Sequence, residues 1–374
     1  MTRTRADDAC PGALQVHQAA DGALVRVRLP GGMITAAQLQ VLAKLAAGHG
    51  SGSLELTSRG SLQLRGIGDP GPVADAIAAA GLLPSPTHER VRNIVSSPLS
   101  GRAGGLIDVR DRVGELDARI RQDPVLAGLP GRFWFSIDDG RADVSGLRAD
   151  VGVQAVHGDA VAVLLAGVDT GVRLPEAQAV PTLIRIAERF QQIRGKSWRI
   201  TELDDTAPLL DGFTPTVPPG DTFPATLLPP VGWIPQHDGR VTLGAAVPLG
   251  VLPARTAEFL AAIEAPLVIT PWRSVLVCDL QEETAEVSVR VLAPLGLVFD
   301  ENSPWLSVTA CTGSPGCERS RADVRADATA AVESGQTPPH RRHYVGCERA
   351  CGSPIGGEVV VATPDGYQPL ERHP

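Results

Sequence analysis

Leu54, Leu56, Leu62 and Leu64 share one alternating face of the segment LELTSRGSLQL. A period of two is the mark of extended chain half-covered by a core, so this stretch reads as strand. Upstream, ALVRVRLPGG is also extended, and Leu39, Leu42, Ala43 and Ala46 recur at helical spacing; downstream, PVADAIAAAG reads as a second helix. Residues 24–84 therefore predict strand, helix, strand, helix, an α+β unit. The same order returns beyond the connector PTVPPGDTFPATLLPPVGWIPQ, which is too rich in proline for helix or sheet interior. GRVTLGAAVPLG reads as strand, ARTAEFLAAIE as helix and LVITPWRSVLVCDL as strand. Leu54, Leu56, Thr57, Ser61, Leu62 and Leu64 fall on Leu267, Ile269, Thr270, Ser274, Val275 and Val277 at a constant shift of 213, and Leu42 and Leu45 meet Leu260 and Ile263 at 218. This is the pattern of an internal duplication. Between the copies, RFWFSIDDGRADVSGL reads as a hairpin turning at Asp-Asp-Gly, DVGVQAV and AVAVLLAG as strands, and EAQAVPTLIRIAERFQQIR as a helix.

At 374 residues the chain is long enough for two or three units, each with its own core. A net charge of −8 and the lack of a basic stripe exclude nucleic acid as the expected partner. The opening MTRTRADDACPGAL carries no apolar signal run and no membrane-spanning stretch is present, so a cytoplasmic location with no membrane partner is expected. Lys44 and Lys196 are the only lysines. Any chemistry that needs paired lysines has almost none to use.

Four of the six cysteines lie between 311 and 351, as Cys311-x5-Cys317 and Cys347-x3-Cys351. In a reducing compartment such grouping points to metal rather than to disulfides. Structural zinc takes two to four residues inside each pair, which a five-residue spacer fits poorly; an iron–sulfur cube is larger and needs thiolates from separate directions. A loop for the first pair and one helical turn for the second would supply them, with zinc or unliganded thiols as the alternatives. Small flanking residues such as Gly313, Gly316 and Gly346 let backbone amides approach the sulfurs. Two histidine pairings, His157 with Asp159 and His340 with His343, are read as a loop between strands and a solvated lead-in to the strand before Cys347. No ligands for a mononuclear iron are assigned. GIGDPG at 66–71 has glycine-fingerprint spacing, but Pro70 removes an amide from any phosphate cradle and no buried strand follows, so no dinucleotide site is expected. Cys278 alternates with Val275 and Val277 as a strand thiol, in the core or at its edge.

The phrases ACTGSPGC, GCERACG and ELTSRGSLQLRGI resemble those of the sirohaem-type nitrite and sulfite reductases. The resemblance implies two ferredoxin-like half-repeats alternating with two α+β reductase-type modules about a pseudo-twofold axis. The expected divisions are 1–85 and 226–290 for the half-repeats, 86–225 for the first module with its connector, and 291–374 for the cluster-binding module. It also implies that Cys311, Cys317, Cys347 and Cys351 hold a [4Fe–4S] cluster. At the anion-binding positions of the reductases stand Arg59 and Arg92, but after Leu129-Pro130 one of two lysines is replaced by Arg132 and the other by Trp134. That departure weakens the field for a small oxyanion.

ACPG at Cys10, TPWRS, RFWFSIDDG and VVVATPDGYQPL are closer to the precorrin-3B synthases, the oxygen-dependent branch of the superfamily. That resemblance implies hydroxylation of precorrin-3A with lactone formation in aerobic cobalamin synthesis. Dioxygen is the co-substrate, electrons come from a separate NADH-dependent reductase, and a mononuclear non-haem iron is also associated with the family. A tetrapyrrole fringed with carboxylates calls for guanidinium forks, and Arg59, Arg92, Arg132 and Arg273 are the expected substrate residues, with Thr57, Ser58, Asn93 and Trp272 beside them. The alternatives are a sirohaem-dependent nitrite or sulfite reductase and a non-enzymatic tetrapyrrole or cluster carrier.

Overall fold

The computed structural model describes residues 8–223, 226–336 and 340–370. The first seven residues of the opening segment, Pro224 and Ala225 of the proline-rich connector, and with Ala225 the expected division at 225, lie outside the described residues.

In chain order, the first copy holds β1 (His17–Ala19), β2 (Gly22–Val27), β3 (Met33–Ile34), α1 (Ala36–His49), β4 (Ser53–Leu56), β5 (Leu62–Ile67) and α2 (Pro70–Ala79). The middle segment holds β6 (Ile94–Ser96), α3 (Arg110–Gln122), β7 (Phe135–Asp138), β8 (Val151–Ala155), β9 (Ala160–Leu165), β10 (Val168–Pro175) and α4 (Ala179–Ile193). The second copy follows as β11 (Gly232–Pro235), β12 (Val241–Ala246), β13 (Val251–Pro253), α5 (Ala254–Ala261), β14 (Leu267–Ile269), β15 (Ser274–Leu280) and α6 (Glu282–Leu292). The cysteine region contributes β16 (Val308–Ala310), α7 (Val324–Glu333), β17 (Arg342–Val345), β18 (Glu358–Thr363) and β19 (Gly366–Pro369).

Two compact units result. One contains the residues up to Gly12, Arg28–Met33 and Leu83–Thr226; the other contains Ala13–Val27, Ile34–Leu82 and the chain from Leu227 onward.

The second unit carries the duplication. Its sheets run β1-β2-β5-β4-β13 and β11-β12-β15-β14-β3, so each copy's hairpin is completed by a short strand from the other. The registers repeat as well: Leu54 faces Leu64 and Leu56 faces Leu62, while Leu267 faces Val277 and Ile269 faces Val275, the same pairs 213 residues on. Both segments read above as single strands are hairpins. The alternation survives because the turn from 57 to 61 returns the chain with the same leucine parity, so Leu54 and Leu64 point to one face on adjacent strands. Helix α1 begins with a capping box, in which Thr35 accepts from the Gln38 amide and the Gln38 side chain accepts from the Thr35 amide. At α2 the Asp69 carboxylate caps the Gly71 amide, and β5 lies antiparallel to both its neighbours.

The first unit is a sheet ordered β10-β9-β8-β7-β6. Phe133, Phe135 and Phe190 meet in its core with ring centroids 5.2 and 4.8 Å apart, joined by Val113, Leu116 and Ile120 of α3. The expected hairpin at Asp138-Asp139-Gly140 does not form, and β8 instead lies parallel to β7. The Asp138 carboxylate is the physical reason. It accepts from the amides of Gly140, Ala142, Val144 and Ser145, winding the chain into a local turn instead of sending it back along the strand.

Candidate functional site

The cysteine frame is set by parallel strands. β16, β17 and β18 run parallel, with Ala310 opposite Tyr344, so the residues just beyond β16 and β17 emerge side by side. Cys311 therefore lies next to Gly346-Cys347. Its amide donates to Tyr344 O at 2.9 Å, and the Gly346 amide donates to Cys311 Sγ at 3.4 Å. Burial pushes the Cys311 thiol up, while the Gly346 and Gly313 amides favour its thiolate. The loop carrying Cys317 is tied back by Cys317 N to Gly313 O (2.8 Å) and Arg321 N to Gly346 O (3.0 Å). Its Gly316 carbonyl accepts from Arg65 Nη2 at 2.6 Å, and Arg65 is itself held by Asp21. A Cβ on Gly346 would sit 1.7 Å from Ser320 Oγ, so only glycine permits this approach.

Cys347 and Cys351 are not on a helical turn. Ala350 has φ of +47° and Gly352 of +74°, which breaks any helix and leaves two tight turns. The loop is anchored from below by His343, which belongs to β17 and is fully buried, not the solvated lead-in expected from the sequence. Its Nε2 lies 3.1 Å from Cys351 O and its Nδ1 2.8 Å from Thr309 Oγ1. A carbonyl can only accept, so Nε2 carries a proton and donates to Cys351 O. His340 is exposed, and His157 and Asp159 lie in the exposed turn between β8 and β9.

All four thiols are free of disulfides and stand in one region of one unit, with Cys351 the exposed one. Among the described residues, no three His, Cys, Asp or Glu side chains converge as they would on a single ion. A cube binds each thiolate to a different iron, so its donors stand apart, and glycine amides next to sulfur suit its charge. The donor set fits such a cluster.

The two hairpin turns of the second unit align residue by residue. Thr57 N donates to Ser61 O and Gly60 N to Thr57 O; Thr270 N donates to Ser274 O and Arg273 N to Thr270 O. By this register Trp272, not Arg273, takes the place of Arg59, and Arg273 takes the place of Gly60. Gly60 has φ of +64° and Arg273 of +59°. An arginine held where its repeat partner is glycine stores about 1–3 kcal/mol of backbone strain, a cost that recurs at functional positions. Its Nη2 donates to Gly352 O at 2.6 Å, beside Cys351. Arg59, Thr57 and Ser58 are half-buried on the first turn.

Arg92 and Arg132 belong to the first unit. Arg92 is buried and its Nε donates to Asp117 of α3 at 2.6 Å, in a pair whose side chains are both largely out of water. Arg132 is exposed between the inward Phe133 and Leu129, and its guanidinium lies 5.3 Å over the Trp198 ring. Its backbone is fixed by Asp8, whose carboxylate takes the amides of Arg132 and Cys10 and the Arg90 guanidinium. Asn93 does not face open space. It is buried, accepts from Arg28 Nε, and donates to the carbonyls of Arg90, Gly131 and Phe133, so it holds the Arg132 segment in place. Trp134 is buried with Arg199 5.7 Å over its ring, and Cys278 is a core thiol.

The sequence reading named His343 but placed it in solvent. For His343 a signal existed: it shares strand parity with Val345, which predicts burial.

Among the described residues, no helix is long and apolar enough to cross a membrane. Residues 17–78 match the family described as the nitrite/sulfite reductase ferredoxin-like half domain. A precorrin-3B synthase from Sinorhizobium sp is 29% identical over 96% of this chain and 81% of its own length. A ferredoxin–nitrite reductase from Synechococcus elongatus is 24% identical over 90% of this chain and 75% of its own. The Mycobacterium tuberculosis NirA protein superposes with a TM-score of 0.75 over 90% of this chain and 71% of that one, at 20% identity, which speaks to the fold. The mixed α+β architecture with its ferredoxin-like half domain and NirA-like fold is thus shared along most of the chain, and the chain resembles precorrin-3B synthase, of the nitrite/sulfite reductase superfamily.

Proposed function

We propose that the protein is an iron–sulfur monooxygenase of the precorrin-3B synthase type, acting on precorrin-3A with dioxygen in aerobic cobalamin synthesis. The observation that carries the reading is the cysteine frame at the ends of β16 and β17, in a chain similar to a precorrin-3B synthase over 96% of its length. Cys311, Cys317, Cys347 and Cys351 would hold the [4Fe–4S] cluster, which supplies single electrons close to the substrate. The chain's own residues bind and orient. Arg59 and Arg273, on the two hairpin turns of the second unit, would pair with substrate carboxylates; in the first unit Arg92 already spends its charge on Asp117, and Asp8 and Asn93 fix the Arg132 backbone. One atom of dioxygen enters the ring and the other leaves as water. The electrons come from a separate NADH-dependent reductase, and the setting is cytoplasmic.

A sirohaem-dependent reductase is the second reading, favoured by the similarity to ferredoxin–nitrite reductases. Against it stands Trp134, buried beneath Arg199 at the position where the reductases place a lysine. Incubation with precorrin-3A, a reductant and labelled dioxygen tests the proposal: label in a hydroxylated lactone supports it. Intense sirohaem absorption with reduction of nitrite or sulfite and no label in the tetrapyrrole would replace it with the second reading; binding without turnover would leave a carrier.

A further inference from the structure

The first hairpin of the second unit has two faces. Leu54, Leu56, Leu62 and Leu64 turn to the core, and Glu55, Gln63 and Arg65 alternate with them on the other side. A polar face of an antiparallel sheet ordinarily meets solvent. Here Glu55 and Arg65 are each only 6% exposed, because the cysteine region lies over them. Arg65 Nη2 donates to the carbonyl of Gly316, the residue before Cys317, at 2.6 Å. The same guanidinium forks onto Asp21, in the turn between β1 and β2, at 2.9 and 3.0 Å. Glu55 accepts from Arg325 of α7 at 2.6 Å and from Gln63 at 3.2 Å.

The second copy shows that the strand pair itself does not require these charges. At the shift of 213, Glu55, Gln63 and Arg65 fall on Val268, Leu276 and Cys278, all buried and in the same register. Replacing a buried ion pair with apolar side chains is commonly neutral or stabilising, so stability does not account for keeping Arg65 and Asp21. What sets the first copy apart is the loop it touches. A Cβ on Gly316 would stand 2.9 Å from Thr312 Cγ2, 3.1 Å from Asp21 Oδ2 and 3.4 Å from Arg65 Nη2, so the peptide before Cys317 is packed directly on the pair.

We infer that Arg65, oriented by Asp21, is a positioning residue for the cluster: it fixes the peptide that carries Cys317 and, through its charge, raises the potential at which the cluster accepts an electron. The charge-assisted bond to Gly316 O holds the loop. A fixed positive charge favours the reduced cluster, which carries one more negative charge than the oxidised one. The inference rests on the [4Fe–4S] assignment above and goes beyond it, since it gives the first half-repeat a part in the redox behaviour of a cluster bound by another region.

The test is an anaerobic redox titration of the cluster-loaded protein with dithionite and mediators, with the reduced cluster followed by electron paramagnetic resonance. Arg65→Gln should lower the reduction equilibrium about tenfold, or about 59 mV for one electron, and Asp21→Asn should raise it, because each change leaves the other charge uncompensated. Arg65→Lys keeps the charge and should stay within about twofold of the unaltered protein. Iron release to a chelator should be about tenfold faster in Arg65→Ala, with Arg65→Lys between the two, as loss of a hydrogen bond from a charged donor predicts. A merely loosened loop would move Arg65→Gln and Asp21→Asn in the same direction, so shifts of like sign would overturn the inference. So would potentials within about twofold of the unaltered protein in both. Asp21 is partly exposed at a turn, and its variant decides the sign even where an Arg65 variant does not fold. Iron-free unaltered protein would overturn the inference together with the cluster assignment, whereas a loaded protein whose potential ignores both charges would overturn the inference alone.

Discussion

Arg273 and His343 hold the Cys351 loop from two sides, one through Gly352 O and the other through Cys351 O. These bonds separate positioning residues from ligands, and substitutions should show the difference. Cys317→Ala should lose the cluster, seen as loss of its broad visible absorption. Arg59→Ala should keep that absorption and weaken tetrapyrrole binding; bleaching of the cluster would mean that Arg59 supports the metal site. His343→Ala should load iron normally but release it faster to a chelator, because a buried hydrogen bond of about 1–3 kcal/mol is left unmade at Cys351. His343→Gln, whose amide can donate to the same carbonyl, should restore slow release, and equal release rates in all three proteins would contradict the role. At this scale the grouping of four cysteines stood out in the sequence, and the structure gathers the strand ends that carry Cys311 and Cys347 side by side. His343 did not, since a histidine next to arginines reads as solvated until the parallel pairing of β17 buries it.

Elements were read well where one face is buried and poorly where side chains rewire the backbone. The leucine alternation located β4 and β5 but could not reveal the turn between them, since that turn preserves parity. The Asp-Asp-Gly signal failed because Asp138 captures four amides, a preference local sequence does not announce. Helices α3, α6 and α7 went unread. Gly346 is a case where the element depends on one missing methyl: Gly346→Ala should lower thermal stability by about 1–3 kcal/mol through overpacking against Ser320. Gly48→Ala, in α1 with open space around it, should be neutral or stabilising by up to about 1 kcal/mol. Similar melting shifts for the two would refute the close approach.

The loop after β7 also predicts a pH dependence. Burial, reinforced by the Asp138 charge, pushes Asp143 up to about 7 from an ordinary value of 3.8. The folded state then binds more protons than the unfolded state between these values, so this group's contribution to stability falls as pH rises from about 4 to 7. Asp143→Asn keeps an acceptor for Ser97 Oγ and should raise the melting temperature relative to the parent at pH 8, with the gain fading towards pH 4. A gain independent of pH would show that Asp143 does not titrate in that window.

For the whole molecule, duplication was legible because a constant offset of 213 joins six positions, and the paired registers of the two hairpins repeat it. The exchange of β3 and β13 between the copies was not, since strands of two and three residues carry no periodicity and their pairing is non-local. The pseudo-repeat also sets Arg273 opposite Gly60, both with left-handed backbone.

The central claim is that four cysteines from the turns beyond β16 and β17 close around one iron–sulfur cube. Iron and acid-labile sulfide analysis of protein isolated without oxygen tests it most directly, and about four of each per chain is the expected result. Iron-free protein, or a single zinc in place of the cube, would contradict it.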